Sequence, residues 1–210
     1  MICVSLGNIS PDNALKLCQQ VQMVEIRTDL LRWSSNDYLK VIESGVKTVF
    51  TCRPGYYNEA ERLNLFEFAI KSGAGYIDIE FESDSDFLEK IREIKKLHSA
   101  ELIISYHNFE CTPTREDLEN ILQKCYIMGA EVAKIACRVF SYTDVAILLS
   151  LYEKSGRKVI IGMGNPGKIS RIAALYLGAE FTFASTGRGD ETAEGQIDYK
   201  TLNEITKLIN

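Results

Sequence analysis

The sequence predicts a single (β/α)8 barrel that spans residues 1–210. Apolar runs rich in Val and Ile alternate with amphipathic helical stretches along the whole chain, which is the pattern of a parallel α/β sheet. The β-α units number eight at about 26 residues each, which fits a compact barrel near the lower size limit of that fold. No linker, low-complexity segment or repeat interrupts the sequence. A doubly wound open sheet is the alternative fold.

The predicted strands are short, continuous apolar runs instead of alternating ones, as expected for strands covered on both faces. They are predicted at Ile2–Leu6, Met23–Arg27, Thr48–Cys52, Tyr76–Phe81, Leu102–Tyr106, Val132–Ala136, Val159–Met163 and Phe181–Ala184.

The predicted helices lie between these strands and are bounded by capping residues. Ser10-Pro11 supplies a cap followed by a proline at the first helical position, and Gly45, Gly129 and Gly178 follow the ends of other helices. The helices are predicted at Asp12–Gln20, Asn36–Ser44, Glu59–Lys71, Ser85–His98, Thr114–Met128, Thr143–Lys154, Ile169–Leu177 and Tyr199–Ile209.

Composition excludes several classes of protein and partner. The chain is 46% hydrophobic and 25% charged, the balance of an ordinary globular protein and not of a disordered or fibrous one. Its net charge of −5 argues against nucleic acid as a partner. No apolar run approaches the roughly 20 residues of a membrane span, and the N-terminus lacks a secretory signal pattern. We therefore expect a cytoplasmic protein with neither a nucleic-acid nor a membrane partner.

The cysteines and histidines predict no metal site. None of the six cysteines forms a C-x-x-C pair, and His98 and His107 are not at ligand spacing. We expect reduced, mostly buried thiols.

Polar residues cluster where the predicted strands end, and members of each pair are two residues apart, so they share a face. Because active sites of barrels form at the C-terminal ends of strands, the repeated offset predicts a site there. Each pair taken alone could equally be a structural salt bridge or a solvated strand end. The pairs are Glu25 and Arg27, Thr51 and Arg53, Asp78 and Glu80, and Ser105 and His107.

Lys134 lies inside the apolar sixth strand, where its amine cannot easily reach water. Burial and nearby positive charge lower the pKa of an ammonium group, and a neutral amine can attack a ketone to form a Schiff base. The alternative is a structural lysine paired with a carboxylate such as Glu80. His107 ends the neighbouring fifth strand and is an acid/base candidate beside such an amine, or else a hydrogen-bonded structural group.

Two loops carry further signals. Gly162–Gly167 matches G-x-G-x-x-G but follows the seventh strand, which argues against a dinucleotide site while leaving room for an anion. Arg171, just beyond it, could clamp a carboxylate or lie on the helix surface. Residues 185–196 are polar and glycine-rich, which predicts a mobile lid over the barrel mouth.

These segments resemble type I 3-dehydroquinate dehydratase, the Schiff-base enzyme of the shikimate pathway. Each segment is short, but their order and their placement on successive strands make the set specific. They are residues 25–29 (EIRTD), 51–53 (TCR), 76–80 (YIDIE), 105–109 (SYHNF), 133–136 (AKIA), 163–171 (MGNPGKISR) and 195–196 (GQ).

The resemblance implies a (β/α)8 barrel, a homodimer, no cofactor and no metal. It also implies dehydration of 3-dehydroquinate to 3-dehydroshikimate in aromatic amino acid biosynthesis. Lys134 matches the Schiff-base lysine and His107 the acid/base histidine. The expected substrate-binding residues are Ser5, Glu25, Arg27, Arg53, Arg171, Thr192 and Gln196.

The sequence departs from the family at two places. Tyr57 stands where members usually carry a glutamate that supports the histidine, so Glu59 or Tyr57 is expected to take over that support. Glu194 stands in the lid where members usually carry a proline. Two alternative functions remain: a Schiff-base class I aldolase, and a ligand-binding relative of the dehydratase with little turnover.

Overall fold

The computed structural model describes residues 1–209 and confirms the barrel. All eight strands run parallel in one sheet, in the order β7-β6-β5-β4-β3-β2-β1-β8. Every predicted strand is present, with ends that differ from the prediction by at most two residues. The strands are β1 Ile2–Leu6, β2 Met23–Arg27, β3 Lys47–Thr51, β4 Tyr76–Glu80, β5 Glu101–Asn108, β6 Val132–Arg138, β7 Lys158–Met163 and β8 Thr182–Ser185.

The helices surround this sheet and follow the strands along the chain. A single turn after β2, Thr28–Leu31, was not predicted. The helices are α1 Pro11–Cys18, α2 Thr28–Leu31, α3 Ser35–Ile42, α4 Glu59–Lys71, α5 Ser85–Lys95, α6 Arg115–Ile127, α7 Tyr142–Ser150, α8 Lys168–Ala173 and α9 Tyr199–Ile209.

Local capping fixes where the helices begin, and tight turns end several of them earlier than predicted. Ser10, Ser34 and Thr114 each accept a hydrogen bond from a backbone N–H in the first turn of the helix that follows. At the other end, His98 N donates to Lys95 O, so the last residues predicted for α5 form a turn. The predicted end of α7 is likewise a 3₁₀ turn, Leu151–Glu153.

Two apolar layers hold the sheet. The larger lies between strands and helices and contains Ile26, Phe50 and Ile104. The smaller fills the barrel interior with Met23, Tyr76 and their neighbours from other strands. Five of the free cysteines are buried and Cys111 is exposed, as expected for mostly buried thiols. Within residues 1–209, no helix is long and apolar enough to cross a membrane.

The barrel has a weak seam between β7 and β8. Within the described residues these strands share no ladder, and a backbone hydrogen bond from Glu180 to Lys158, 3.0 Å, joins their beginnings. Arg157 lies across this seam and pairs with Glu180 at 2.6 Å and with Glu101 of β5 at 2.7 Å. The hydroxyl of Tyr76 on β4 also donates to Glu180 at 2.8 Å. Arg157 therefore clamps the N-terminal end of the barrel.

We expect Arg157→Gln to lower the free energy of unfolding at pH 7 by about 1–2 kcal/mol. The hydrogen bonds from Arg157 lower the pKa of Glu180 to about 2, against about 4.3 in an unfolded chain. Because the folded pKa is the lower one, this stabilisation is present above about pH 4.3 and is lost as the pH falls towards 2. Solvent screening reduces it, since the Arg157 side chain is 41% exposed.

Denaturant unfolding between pH 7 and pH 3 measures this effect. The difference in the free energy of unfolding between wild type and Arg157→Gln should become smaller as the pH falls. Arg115→Gln is the matched control, because Arg115 also pairs with two glutamates but lies on the helical surface away from the seam. Equal losses in the two variants at pH 7 would show that Arg157 makes no special contribution to barrel closure.

Candidate active site

A cavity of about 250 Å³ opens at the C-terminal ends of the strands. It brings together residues from β1, β2, β5, β6, α8 and the loops after β3 and β8. All of the residues that the sequence pointed to for catalysis or substrate binding line it: Ser5, Glu25, Arg27, Arg53, His107, Lys134, Arg171, Thr192 and Gln196. Of the strand-end pairs, Glu25, Arg27, Arg53 and His107 line the cavity, whereas Thr51, Asp78, Glu80 and Ser105 are not among its lining residues.

Strand register builds the polar wall formed by β1, β2 and β3. Ser5 and Glu25 are register partners, and the Ser5 hydroxyl donates to the Glu25 carboxylate at 2.6 Å. Thr51, at the end of β3, donates to the other oxygen of Glu25 at 3.0 Å. Burial raises the pKa of Glu25, but the positive charges of Lys134 and Arg27 and the Ser5 hydrogen bond together bring that pKa below its usual value. Glu25 is therefore an ionised carboxylate inside the barrel.

Lys134 is buried and forms an ion pair with a carboxylate that sequence analysis did not assign to it. Its Nζ lies 2.6 Å from Oδ2 of Asp78, and the exposed fractions of the two side chains are only 5% and 1%. The ammonium also lies 4.4 Å from the centre of the Phe183 ring. Asp78 Oδ1 has no hydrogen-bond partner among the described residues. Asp78, rather than Glu80, is thus the counterion of Lys134.

Glu80, two residues further along β4, is held by a different cation. Arg62 of α4 donates to Glu80 at 2.9 Å and to the carbonyl of Cys52 at 2.9 Å, and it is itself buried. Burial, followed by the negative charge of Asp78, raises the pKa of Glu80 to about 7. Sequence analysis missed Arg62, and its only signal was an arginine among the apolar residues of a helix face.

His107 is neutral, and its closest polar neighbour is an arginine. Nη2 of Arg53 lies 2.7 Å from Nε2 of the imidazole. Because a guanidinium only donates, Nε2 accepts this bond and the proton is on Nδ1. Burial, then the charges of Arg53, Lys134 and Arg27, lower the pKa of His107 well below its usual value. Nδ1 is buried and has no partner within residues 1–209.

The two residues expected to support His107 do not line the cavity. Glu59 is the first residue of α4 and is exposed, because Asn58 caps this helix and directs its first turn to the surface. The ring of Tyr57 packs edge-on against Tyr56, with 4.7 Å between ring centres. The structure therefore places neither residue beside the histidine, and the polar contact to its ring comes from Arg53.

Arg171 lies under the lid instead of on the surface of α8. It is fully buried, and its Nε donates to the carbonyl of Gly195 at 3.0 Å. Its terminal nitrogens reach the carbonyls of Glu194 and Phe183, each at 3.4 Å. Burial lowers the pKa of Arg171 to about 10, although the charge of Glu25 acts in the opposite direction. Arg171 is therefore a cation with only backbone partners in the cavity wall.

The lid residues that line the cavity are joined to β1. Nε2 of Gln196 donates to the Ser5 hydroxyl at 3.3 Å, and its Oε1 accepts from the backbone N–H of Thr192 at 2.7 Å. These contacts connect the lid to Glu25 through Ser5. Among residues 1–209, no group of three or more His, Cys, Asp or Glu side chains is placed to hold a metal ion.

The fold and the site together define a class: a (β/α)8-barrel protein with a buried lysine and a neutral histidine on adjacent strands at its C-terminal face. Comparison with known proteins gives the family. A sequence model described as type I 3-dehydroquinase matches residues 2–210. The chain therefore belongs to the type I 3-dehydroquinase family and is an enzyme of the hydro-lyase class.

Individual relatives agree with this family. A 3-dehydroquinate dehydratase of Methanocaldococcus jannaschii is 35% identical over 226 residues and covers 100% of this chain and 99% of the relative. The crystal structure of the Aquifex aeolicus 3-dehydroquinate dehydratase has a TM-score of 0.86 at 34% identity, covering 100% of this chain and 99% of that one. The Geobacillus kaustophilus enzyme structure has a TM-score of 0.87 at 25% identity, covering 99% and 90% of the two chains.

We expect Arg53→Gln to raise the pKa of His107 towards its usual value. After burial, the positive charge of Arg53 lowers the pKa of His107 most strongly, and a glutamine in its place can still donate to Nε2. Titration of the imidazole carbon-bound protons by NMR measures the change. His98, exposed in the turn after α5, supplies the second histidine signal and serves as the internal reference. An unchanged His107 titration would show that burial and the remaining positive charges, and not Arg53, keep the ring neutral.

Proposed function

We propose that this protein dehydrates 3-dehydroquinate to 3-dehydroshikimate through a Schiff base on Lys134, as a step of the shikimate pathway in aromatic amino acid biosynthesis. The observation that carries the proposal is the buried ion pair of Lys134 and Asp78 in a cavity that also holds the neutral His107. Membership of the type I 3-dehydroquinase family supplies the substrate. The net charge of the chain, −5, supports a small-molecule partner in place of nucleic acid.

The first step requires Lys134 to lose a proton. Asp78 is the nearest acceptor, and its second oxygen is free of other hydrogen bonds within the described chain. Moving this proton converts two buried charges into two neutral groups, which a poorly solvated interior favours. The neutral amine then attacks the C3 ketone, water leaves, and an iminium forms. Asp78 gives its proton up with the departing water and is again a carboxylate beside the iminium cation.

The next steps belong to His107. The iminium withdraws electrons, so the C2 proton becomes acidic and a neutral imidazole can remove it. The resulting enamine expels the C1 hydroxyl, to which His107 returns the proton, and water releases the product from Lys134. Because Arg53 occupies Nε2 in the structure, it must transfer its hydrogen bond to a substrate oxygen before that nitrogen can act as a base.

Charge in the cavity suits an anionic, hydroxylated substrate. Arg171 has only backbone carbonyls as hydrogen-bond partners, so a substrate carboxylate gives it the bidentate anionic partner that it lacks. Arg27 donates two hydrogen bonds to Asp29, at 2.9 and 2.6 Å, and these hold its guanidinium where it can donate to a substrate hydroxyl. The proposed hydroxyl ligands also include Ser5, Glu25, Arg53, Thr192 and Gln196.

Assembly and location are proposals that follow from the same family. We propose a homodimer located in the cytoplasm, working without a cofactor or a metal. Size-exclusion chromatography with light scattering tests the dimer, since a single mass near that of one 23.7 kDa chain would contradict it.

One observation favours a second candidate, a ligand-binding relative with little turnover. His107 Nδ1 has no partner in the described residues, so no carboxylate orients the ring. Incubation with 3-dehydroquinate separates the candidates, because the conjugated enone of the product absorbs in the ultraviolet. Binding without any increase in absorbance would favour the second candidate. Cleavage of a sugar phosphate instead would indicate a class I aldolase.

Borohydride added during turnover should attach reduced substrate to Lys134. An iminium is reducible, whereas a lysine in an ion pair is not, and the adduct can be mapped by mass spectrometry. Lys134→Met should lose this adduct together with activity, by about 10³-fold or more, because covalent catalysis is lost as a whole. Turnover with no adduct, or an adduct on another lysine, would remove Lys134 from the mechanism.

Asp78→Asn should slow both turnover and borohydride trapping by about 10²–10⁴-fold, since asparagine keeps the shape of Asp78 but cannot take a proton. Glu80→Gln is the matched control, because it changes the other buried carboxylate on β4, which is paired with Arg62 instead of Lys134. It should leave the rate of trapping within a few-fold of wild type. Equal trapping by Asp78→Asn and wild type would show that Asp78 is not the proton acceptor.

A further inference from the structure

The lid, residues 185–196, has a tip, residues 192–196, that is joined to the barrel by one ion pair. Arg138 Nη1 lies 2.5 Å from Glu194 Oε2. Of the ion pairs among residues 1–209, this one alone joins the tip to the barrel. Glu194 is also the lid residue that stands in place of the usual proline of the family. The proposed reaction gives no role to the carboxylate of Glu194.

Strand geometry brings Arg138 to the mouth of the cavity. Arg138 is the last residue of β6 and follows Lys134 by four positions, so the two side chains point to the same face of the strand. Both residues line the cavity, as does Glu194. The barrel end of the ion pair is thus fixed on the strand that carries the reacting amine.

The tip itself lies against the loop after β7. Gly195 has φ +77°, and a Cβ there would lie 2.3 Å from the carbonyl oxygen of Gly164. Gly164 N in turn donates to the carbonyl of Glu194 at 3.3 Å. The backbones meet so closely that only glycine fits at position 195. Holding Glu194 in place therefore also holds Gly195 on Arg171 and, one residue later, Gln196 on Ser5.

We propose that Arg138 and Glu194 are positioning residues for the dehydration. Their ion pair holds the lid tip over the bound substrate, so that Gln196 and Arg171 keep their places. The pair also neutralises a carboxylate at the mouth of a site that takes an anion. This inference rests on the proposed function. Its structural part, the attachment of the lid tip to the barrel, can be tested without a substrate.

An alternative role for Arg138, direct binding of the substrate, predicts the opposite effect of Glu194→Gln on kcat/KM. If Arg138 bound the substrate carboxylate directly, Glu194 would compete for it and repel the anion. Glu194→Gln would then raise kcat/KM. Under the lid role, the same substitution weakens the attachment of the tip and lowers kcat/KM.

Steady-state kinetics with 3-dehydroquinate decides between these roles. Exposed ion pairs of this kind correspond to about a two- to five-fold effect, and the Arg138 and Glu194 side chains are 37% and 54% exposed. We expect Glu194→Gln and Arg138→Gln each to lower kcat/KM by that factor through a higher KM, with kcat nearly unchanged. The double variant should lose no more than either single variant.

Charge reversal and a matched control complete the experiment. Arg138→Glu combined with Glu194→Arg should recover most of the lost kcat/KM, whereas each reversal alone should lose more than the glutamine variants. Arg115→Gln, which breaks exposed pairs on α6, should leave kcat/KM unchanged. A rise in kcat/KM for Glu194→Gln, or no recovery on reversal, would overturn the proposal.

Limited proteolysis tests the lid without any substrate. Arg188 is exposed in the lid, with 89% of its side chain accessible, so trypsin can cut after it. Glu194→Gln should speed this cut by about two- to five-fold, and Arg115→Gln should not. An unchanged cutting rate would overturn the attachment even if 3-dehydroquinate proves not to be the substrate. Faster cutting with no turnover would instead contradict only the proposed function.

Discussion

The ion pair between Lys134 and Asp78 is the constraint on which the site depends. Breaking a buried pair of this kind by removing one partner costs about 3–5 kcal/mol, so the strands must hold both groups in contact. The two residues lie on β4 and β6, with β5 between them. Ser105 of β5 is the register partner of Lys134 on one side and of Glu80 on the other. A slip of one residue in either ladder would put Lys134 and Asp78 on opposite faces of the sheet and break the pair.

Around this pair, three arginines each have a carboxylate partner of their own. Arg27 is held by Asp29, Arg62 by Glu80, and Arg138 by Glu194. Arg53 is directed to a neutral histidine, and Arg171 to backbone carbonyls. Arg53 and Arg171 are thus the cations in the cavity wall that have no carboxylate partner among the described residues. Burial, together with the positive charges of Arg53, Lys134 and Arg27, lowers the pKa of His107 and leaves its ring neutral.

The sequence predicted where the site residues lie better than it predicted which of them form ion pairs with one another. Strand order and the two-residue spacing of Glu25 and Arg27 follow from local patterns, so convergence at the barrel mouth could be expected. The choice of Asp78 over Glu80 for Lys134 could not, because both lie on the same face of β4. That choice is set by Arg62, which reaches Glu80 from α4 through a contact between residues distant in sequence. Helix ends were missed where 3₁₀ turns compete with a last α-helical turn, as after α7.

Tyr57 stands in place of the glutamate that usually supports the histidine, and this changes what the proposed reaction requires of His107 and Lys134. A histidine whose ring is oriented by a carboxylate has a raised pKa, whereas His107, beside Arg53, has a lowered one. A less basic imidazole is a weaker base towards the C2 proton but, once protonated, a stronger acid towards the departing hydroxyl. The iminium on Lys134 must therefore supply more of the C–H acidity. In the proposed reaction the contact of Asp78 with this nitrogen has two opposed effects: its carboxylate favours formation of the cation but, by stabilising it, makes the C2 proton less acidic.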